Sequence, residues 1–149
     1  MTQPIYVLNG PNLNRLGKRE PEIYGHTTLG EVEALCRQTG GETEIVFHQS
    51  NREYELIDWI HDAIDRPAAG IIINPAGLTF TSVPIMDALK MFPGPIIELH
   101  ISNIHRREAV YHNSLVSKVA TAVIAGLGPD GYRVAVGALQ RLISKRSVT

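Results

Sequence analysis

Short runs of aliphatic and β-branched residues recur along the chain at Ile5–Leu8, Glu44–Phe47, Gly70–Ile73, Pro95–Leu99 and Val119–Ala125, each bounded by Gly, Pro, Asn or a cluster of charges. Their length and apolar density predict five strands. Between them apolar residues fall at helical spacing over Leu29–Gln38, Arg52–Asp65, Val83–Met91 and Tyr132–Lys145, with a weaker pattern over Arg106–Ser114. Strand and helix alternating in this way predict a parallel sheet covered on both faces. Five such units in 149 residues suggest one domain, 1–149, with a flavodoxin-like, doubly wound, five-stranded sheet in a three-layer α/β/α arrangement. In such folds ligands sit beyond the carboxyl ends of the strands, so chemistry is sought there.

Two helix starts carry the capping-box pattern, Thr28-Leu29-Gly30-Glu31 and Ser50-Asn51-Arg52-Glu53, in which hydroxyl and carboxylate satisfy free backbone donors reciprocally. In the second helix Leu56, Ile60, Ala63 and Ile64 share a stripe, and Arg66-Pro67 marks its end.

Composition narrows the function classes. Fourteen basic residues against fifteen acidic ones leave a formal charge of −1, so no global field draws the molecule to nucleic acid or an anionic membrane, and any anion site is local. Cys36 is the single cysteine and has no partner for an internal disulfide; its place in a helical apolar stripe favours a buried thiol. Met1-Thr2-Gln3-Pro4 lacks a basic region followed by a long apolar run, and no segment approaches the ~20 apolar residues of a membrane span. A cytoplasmic protein is expected.

Three strand ends hold candidate chemistry. The first strand runs into a long loop, Asn9 to Gly25, rich in asparagine and cations and ending near Tyr24. Its length without apolar period fits a solvated charged loop or a binding loop. A free phenol titrates near ~10, and cations such as Arg15, Lys18 and Arg19 favour its ionised form, which makes Tyr24 a candidate base. The fourth strand ends Ile96-Ile97-Glu98-Leu99-His100-Ile101-Ser102-Asn103. Alternation puts Glu98 and His100 on one face, where the carboxylate can orient the imidazole as a general acid. The third strand ends at Asn74, which emerges at the same edge and is otherwise an ordinary turn asparagine.

Those segments, GPNLNRLGKREPEIYG, QSNREYELIDWIHDA with INPAGLTFTSVPIMDAL, and IELHISNIHRRE with GLGPDGY, together resemble the type II 3-dehydroquinate dehydratases over nearly the whole chain. The resemblance implies dehydration of a cyclic β-hydroxyketone acid through an enolate, with no metal and no cofactor. It implies that Tyr24 is the base, with Arg19 lowering its pKa, and that Asn12 helps hold a water against the enolate. His100, oriented by Glu98, would protonate the departing hydroxyl. Asn74 would bind substrate, the Ile101-Ser102 backbone would cradle the carboxylate, and Asp87 would reach a neighbouring subunit's site. A homododecamer built from trimers is implied as well.

The chain departs from the family's pattern on one side of the pocket. Thr79-Phe80-Thr81-Ser82 stands where the family usually reads Thr-His-Thr-Ser, and Tyr111 stands where it carries an arginine. Pro75-Ala76-Gly77-Leu78 replaces Pro-Gly-Ala-Tyr, and Tyr54 occupies a common glycine position. Apolar groups that replace hydrogen-bonding partners cost a site discrimination. Two readings follow: a divergent dehydroquinase compensated by Tyr111 or the nearby His105, Arg106, Arg107 and His112, or a paralogue acting on a less hydroxylated ring. A non-catalytic binding protein on the same fold is the alternative from another class. A flavin carrier or a phosphoacceptor receiver would need a phosphate loop or clustered aspartates after the first strand, and Asn9-Gly10-Pro11-Asn12 offers neither.

Overall fold

Strand β1 (Ile5–Asn9) is buried at every position and lies inside a five-stranded, all-parallel sheet of order β2-β1-β3-β4-β5. The other strands are β2 (Ile45–Gln49), β3 (Gly70–Asn74), β4 (Ile96–His100) and β5 (Ala122–Ala125). The helices are α1 (Pro21–Tyr24), α2 (Leu29–Gly40), α3 (Glu53–Asp65), α4 (Val83–Lys90) and α5 (Asp130–Val148). These come from a computed structural model that describes residues 3–148; Met1 and Thr2 of the N-terminal stretch read above, and Thr149, lie outside it.

Alternation along the strands builds two cores. Ile5 and Val7 face Val32 and Cys36 of α2 and Tyr132, Ala135, Val136 and Leu139 of α5. Tyr6 and Leu8 face the opposite way, onto Leu56, Ile60 and Ala63 of α3 and Ile85, Ala88 and Leu89 of α4. Burying each Val, Leu or Ile among them stabilises the fold by about 1.5–3 kcal/mol before chain entropy is counted. Cys36 is fully buried, and that burial pushes its thiol up to about 12, so it remains protonated at neutral pH. Among the described residues no helix is long and apolar enough to cross a membrane.

Three expectations need correction. Arg106–Ser114 is not a helix: two short 3-10 turns, Ile104–Arg106 and Ala109–Tyr111, are separated by Arg107 and Glu108 in extended conformation. The last strand starts at Ala122 rather than Val119, because the amides of Val119 and Ala120 both bond back to the Val116 carbonyl and close a turn. The Thr28 capping box forms in full, whereas the one proposed at Ser50 does not. Arg52 is the N-cap of α3, without a side-chain cap. The Ser50 hydroxyl instead accepts from the Arg52 amide at 2.9 Å and donates to the Glu55 carboxylate, while Glu53 accepts from the hydroxyl of Ser82.

The chain leaves β1 for one side of the sheet and returns through β3 to the other, so the loops after these strands diverge where the strand order reverses. They remain close enough there that a Cβ on Gly10 would sit 2.4 Å from the Pro75 carbonyl oxygen, and the Gly10 amide donates to the Asn74 carbonyl at 2.8 Å. Glycine is the residue that permits this approach.

Candidate active site

A cavity of about 180 Å³ opens where those two loops diverge. The loop after β1 supplies Asn12, Arg19 and Tyr24; the end of β3 and its following turn supply Asn74 and Phe80; the end of β4 and beyond supply His100, Ile101, Ser102, Arg107 and Tyr111. Nine of the residues singled out from the sequence therefore line one cavity: Asn12, Arg19, Tyr24, Asn74, Phe80, His100, Ile101, Ser102 and Tyr111. Glu98 stands behind His100. Asp87 lies elsewhere, exposed on α4 and 3.8 Å from Lys90, outside the cavity of its own chain.

Glu98 and His100 are adjacent members of one face of β4, and Glu98 has no exposed surface. The imidazole Nε2 lies 2.5 Å from the Glu98 carboxylate, which also accepts from the Ser114 hydroxyl at 2.9 Å and the Ser117 hydroxyl at 2.5 Å. Burial by itself pushes this carboxyl up; the bonds from His100, Ser117 and Ser114 outweigh it and hold the group below the usual carboxylate range. An ionised, threefold-bonded Glu98 fixes the orientation of the imidazole ring.

Tyr24 ends the short helix α1, which Pro21 begins. Its hydroxyl accepts a bond from Arg107 Nη1 at 3.1 Å. Arg19 lies over the phenol ring at 5.1 Å from its centroid and pairs with Glu20 at 3.3 Å. The cation in contact with the phenol oxygen is thus Arg107, with Arg19 on the ring face. Arg107 also lies 4.1 Å from the Tyr111 ring centroid. Phe80 meets Tyr111 edge to face at 5.4 Å and stacks toward His100 at 6.2 Å.

Asn74 is tied into the fold by both ends of its amide. Its Nδ2 donates to the Tyr132 hydroxyl at 3.1 Å and its Oδ1 accepts from the Ala76 amide at 3.2 Å. Tyr132 donates onward to Asn9 at 2.7 Å. The Asn12 amide donates to Asn51 at 2.9 Å, so the loop after β2 props the loop after β1. Arg107, Ser114, Ser117 and Tyr132 were assigned no such contacts by sequence reasoning. In the sequence Arg107 is one of several neighbouring cations, and the two serines follow no period and meet Glu98 through tertiary folding alone. Among the described residues no three His, Cys, Asp or Glu side chains converge as a metal ion requires.

The arrangement offers a phenol beside two guanidinium groups, a carboxylate-held imidazole and backbone at a strand end, around one small cavity. That inventory suits proton removal at one side of a ring and proton delivery at another. The profile of the family described as dehydroquinase class II matches residues 3–140. The 3-dehydroquinate dehydratase 2 of Agrobacterium fabrum is 58% identical over 144 residues, covering 95% of this chain and 97% of that one. The 3-dehydroquinate dehydratase of Afipia carboxidovorans is 53% identical over 138 residues, 91% of either chain. The crystal structure of the type II dehydroquinase from Propionibacterium acnes superposes with a TM-score of 0.90 at 43% identity, covering 95% of this chain and 98% of that one. On its sequence, its sheet order and the cavity at its strand ends, the chain belongs to the class II dehydroquinase family.

Proposed function

We propose that this chain is a hydro-lyase that converts 3-dehydroquinate to 3-dehydroshikimate, the activity for which its curated relatives are named. The observation that carries the reading is that Tyr24, hydrogen-bonded by Arg107, and His100, hydrogen-bonded by buried Glu98, line the same cavity. Tyr24 as phenolate removes the proton next to the ketone, and the electron pair delocalises onto the ketone oxygen as an enolate. Asn12, with a water it holds, stabilises that charge. Collapse of the enolate breaks the bond to the β-hydroxyl, which takes a proton from His100 and leaves as water. The Ile101–Ser102 backbone cradles the carboxylate and Asn74 contacts the ring, and Phe80 and Tyr111 line the same cavity.

The same reading extends to a single domain acting in the cytoplasm on a small hydroxy-keto acid, without nucleic acid, membrane, metal or cofactor. It serves the shikimate pathway of aromatic amino acid biosynthesis or the catabolism of quinate. Assembly as a homododecamer, a tetramer of trimers, gives exposed Asp87 a role at a neighbouring subunit's cavity. The test is a steady-state assay with 3-dehydroquinate that follows the conjugated enone product by its ultraviolet absorbance. Tyr24→Phe is expected to lower kcat by about 10²–10⁴-fold with KM little changed. A Tyr24→Phe variant that turns over like wild type would remove Tyr24 as the base. A folded wild-type protein with no turnover would remove the substrate.

A further inference from the structure

Resting on that reading, we propose that the aromatic face of Tyr111, backed by Phe80, positions the Arg107 guanidinium on the Tyr24 hydroxyl. Phe80 and Tyr111 thereby act as one brace for the proposed base rather than as direct partners of substrate hydroxyls. Arg107 needs such a brace. Its side chain is long and flexible, and among the described residues it forms no ion pair. A carboxylate would be the usual anchor for a half-buried guanidinium. In its place are one hydrogen bond to Tyr24 at 3.1 Å and the Tyr111 ring, whose centroid lies 4.1 Å from the guanidinium carbon.

The backbone is prepared for this. The gap between the two 3-10 turns leaves Arg107 extended, and the His112 imidazole Nε2 lies 2.7 Å from the Arg107 carbonyl oxygen. Tyr111 is itself held through its ring, because the edge-to-face contact with Phe80 is close to perpendicular, at 81°. Among the described residues the Tyr111 hydroxyl has no hydrogen bond to the protein, so the ring rather than the phenol oxygen does the holding. Phe80 reaches the proposed acid as well, stacking toward His100 with 22° between the planes. Among the described residues the charged and titratable groups around the cavity mouth of Tyr24 are Arg107, Arg19 with its partner Glu20, and across the cavity His100 with Glu98, to which the proposed assembly adds Asp87 of a neighbouring subunit. Among the described residues only Arg107 touches the phenol oxygen, which makes its placement the variable that Tyr111 controls.

The experiment compares Tyr111→Phe, Tyr111→Leu, Phe80→Leu and the Phe80→Leu/Tyr111→Leu double variant, each first shown by circular dichroism and thermal melting to be folded. Tyr111→Phe keeps the ring and should stay within about twofold of wild type, whereas Tyr111→Leu should lose about tenfold in kcat, between the sizes of an exposed and a fully desolvated cation–π contact. In Tyr111→Leu the acidic limb of the kcat/KM profile should move to higher pH; Phe80→Leu should move it less, and the double variant no further than Tyr111→Leu alone. Equal loss in Tyr111→Phe and Tyr111→Leu, or an unmoved acidic limb in Tyr111→Leu, overturns the brace. A substrate-free readout separates this outcome from failure of the proposed reaction. The ultraviolet tyrosine titration that vanishes in Tyr24→Phe should occur at higher pH in Tyr111→Leu than in Tyr111→Phe, whether or not 3-dehydroquinate is turned over, and coincident titrations overturn the proposal.

Discussion

Glu98 carries its charge with no solvent to share it, and three donors on two segments take the place of water. Its folded value lies below the ordinary 4.5, so the ionised carboxylate contributes stability that is complete above that value and is lost as pH falls through the lower folded one. In Glu98→Gln this component is absent, so stability measured by urea unfolding should change less across the acid range than in wild type. The same variant should lose about a hundredfold in kcat, since an amide does not hold the imidazole as the carboxylate does. At this scale the Glu98–His100 pair was legible because alternation along a strand is a rule of two residues. Ser114 and Ser117 were not, because their relation to Glu98 spans 16 and 19 positions and exists only after folding. Ala76 is a second single-residue case, adopting φ of 54° where an L side chain is strained. Left-handed backbone costs a non-glycine residue about 1–2 kcal/mol, of which the extra freedom of an unfolded glycine returns roughly half. Ala76→Gly should therefore raise unfolding free energy by about 0.5–1 kcal/mol, and no gain on denaturant titration would mean that neighbouring contacts already relieve the strain.

Elements follow from local chemistry where that chemistry has a single outlet. Thr28 caps α2 because its hydroxyl accepts from the Glu31 amide at 3.2 Å while the Glu31 carboxylate accepts from the Thr28 amide at 3.2 Å and from the Thr28 hydroxyl at 3.1 Å, so the partners are met within the motif. Thr28→Ala should cost about 1 kcal/mol of stability, measured as a shift in the urea midpoint at constant slope, with a Ser replacement restoring it. Ser50 shows the other case: the same four-residue pattern is diverted when Glu55 and Ser82 offer closer partners to Ser50 and Glu53. The weak helical pattern over Arg106–Ser114 dissolves for a related reason. Asn103 caps a first turn by accepting from the His105 amide at 3.1 Å, and the chain then extends at Arg107 and Glu108 before turning again. Apolar spacing alone registers neither the competing hydroxyl partner nor the interruption that delivers Arg107 to the cavity.

For the whole molecule, the doubly wound parallel sheet and the place of the cavity at its strand ends were legible in the alternation of strand and helix, and the order β2-β1-β3-β4-β5 is the one a flavodoxin-like sheet takes. They were silent on what keeps β1 and β3 aligned where their loops part. Asn9 and Asn74 are register partners, and α5 reaches across the sheet end to place the buried Tyr132 hydroxyl between them, 123 and 58 positions away in the chain. Burial pushes this phenol well above its ordinary range, so it stays a neutral donor to Asn9 and acceptor from Asn74. Removing that one oxygen leaves two buried amide groups each short of a partner and nearly unchanged in volume. Tyr132→Phe should therefore destabilise the fold by about 1–3 kcal/mol, the cost of unsatisfied buried polar groups, rather than the larger cost of a cavity. Because the freed Asn74 amide lines the cavity while Tyr24 and His100 keep their own anchors, the catalytic effect should fall mainly on KM for 3-dehydroquinate, with kcat much less affected. Equal losses in kcat and kcat/KM would mean that this network also sets the geometry of the proton-transfer groups, and that the strand-end alignment is part of the chemistry rather than of binding.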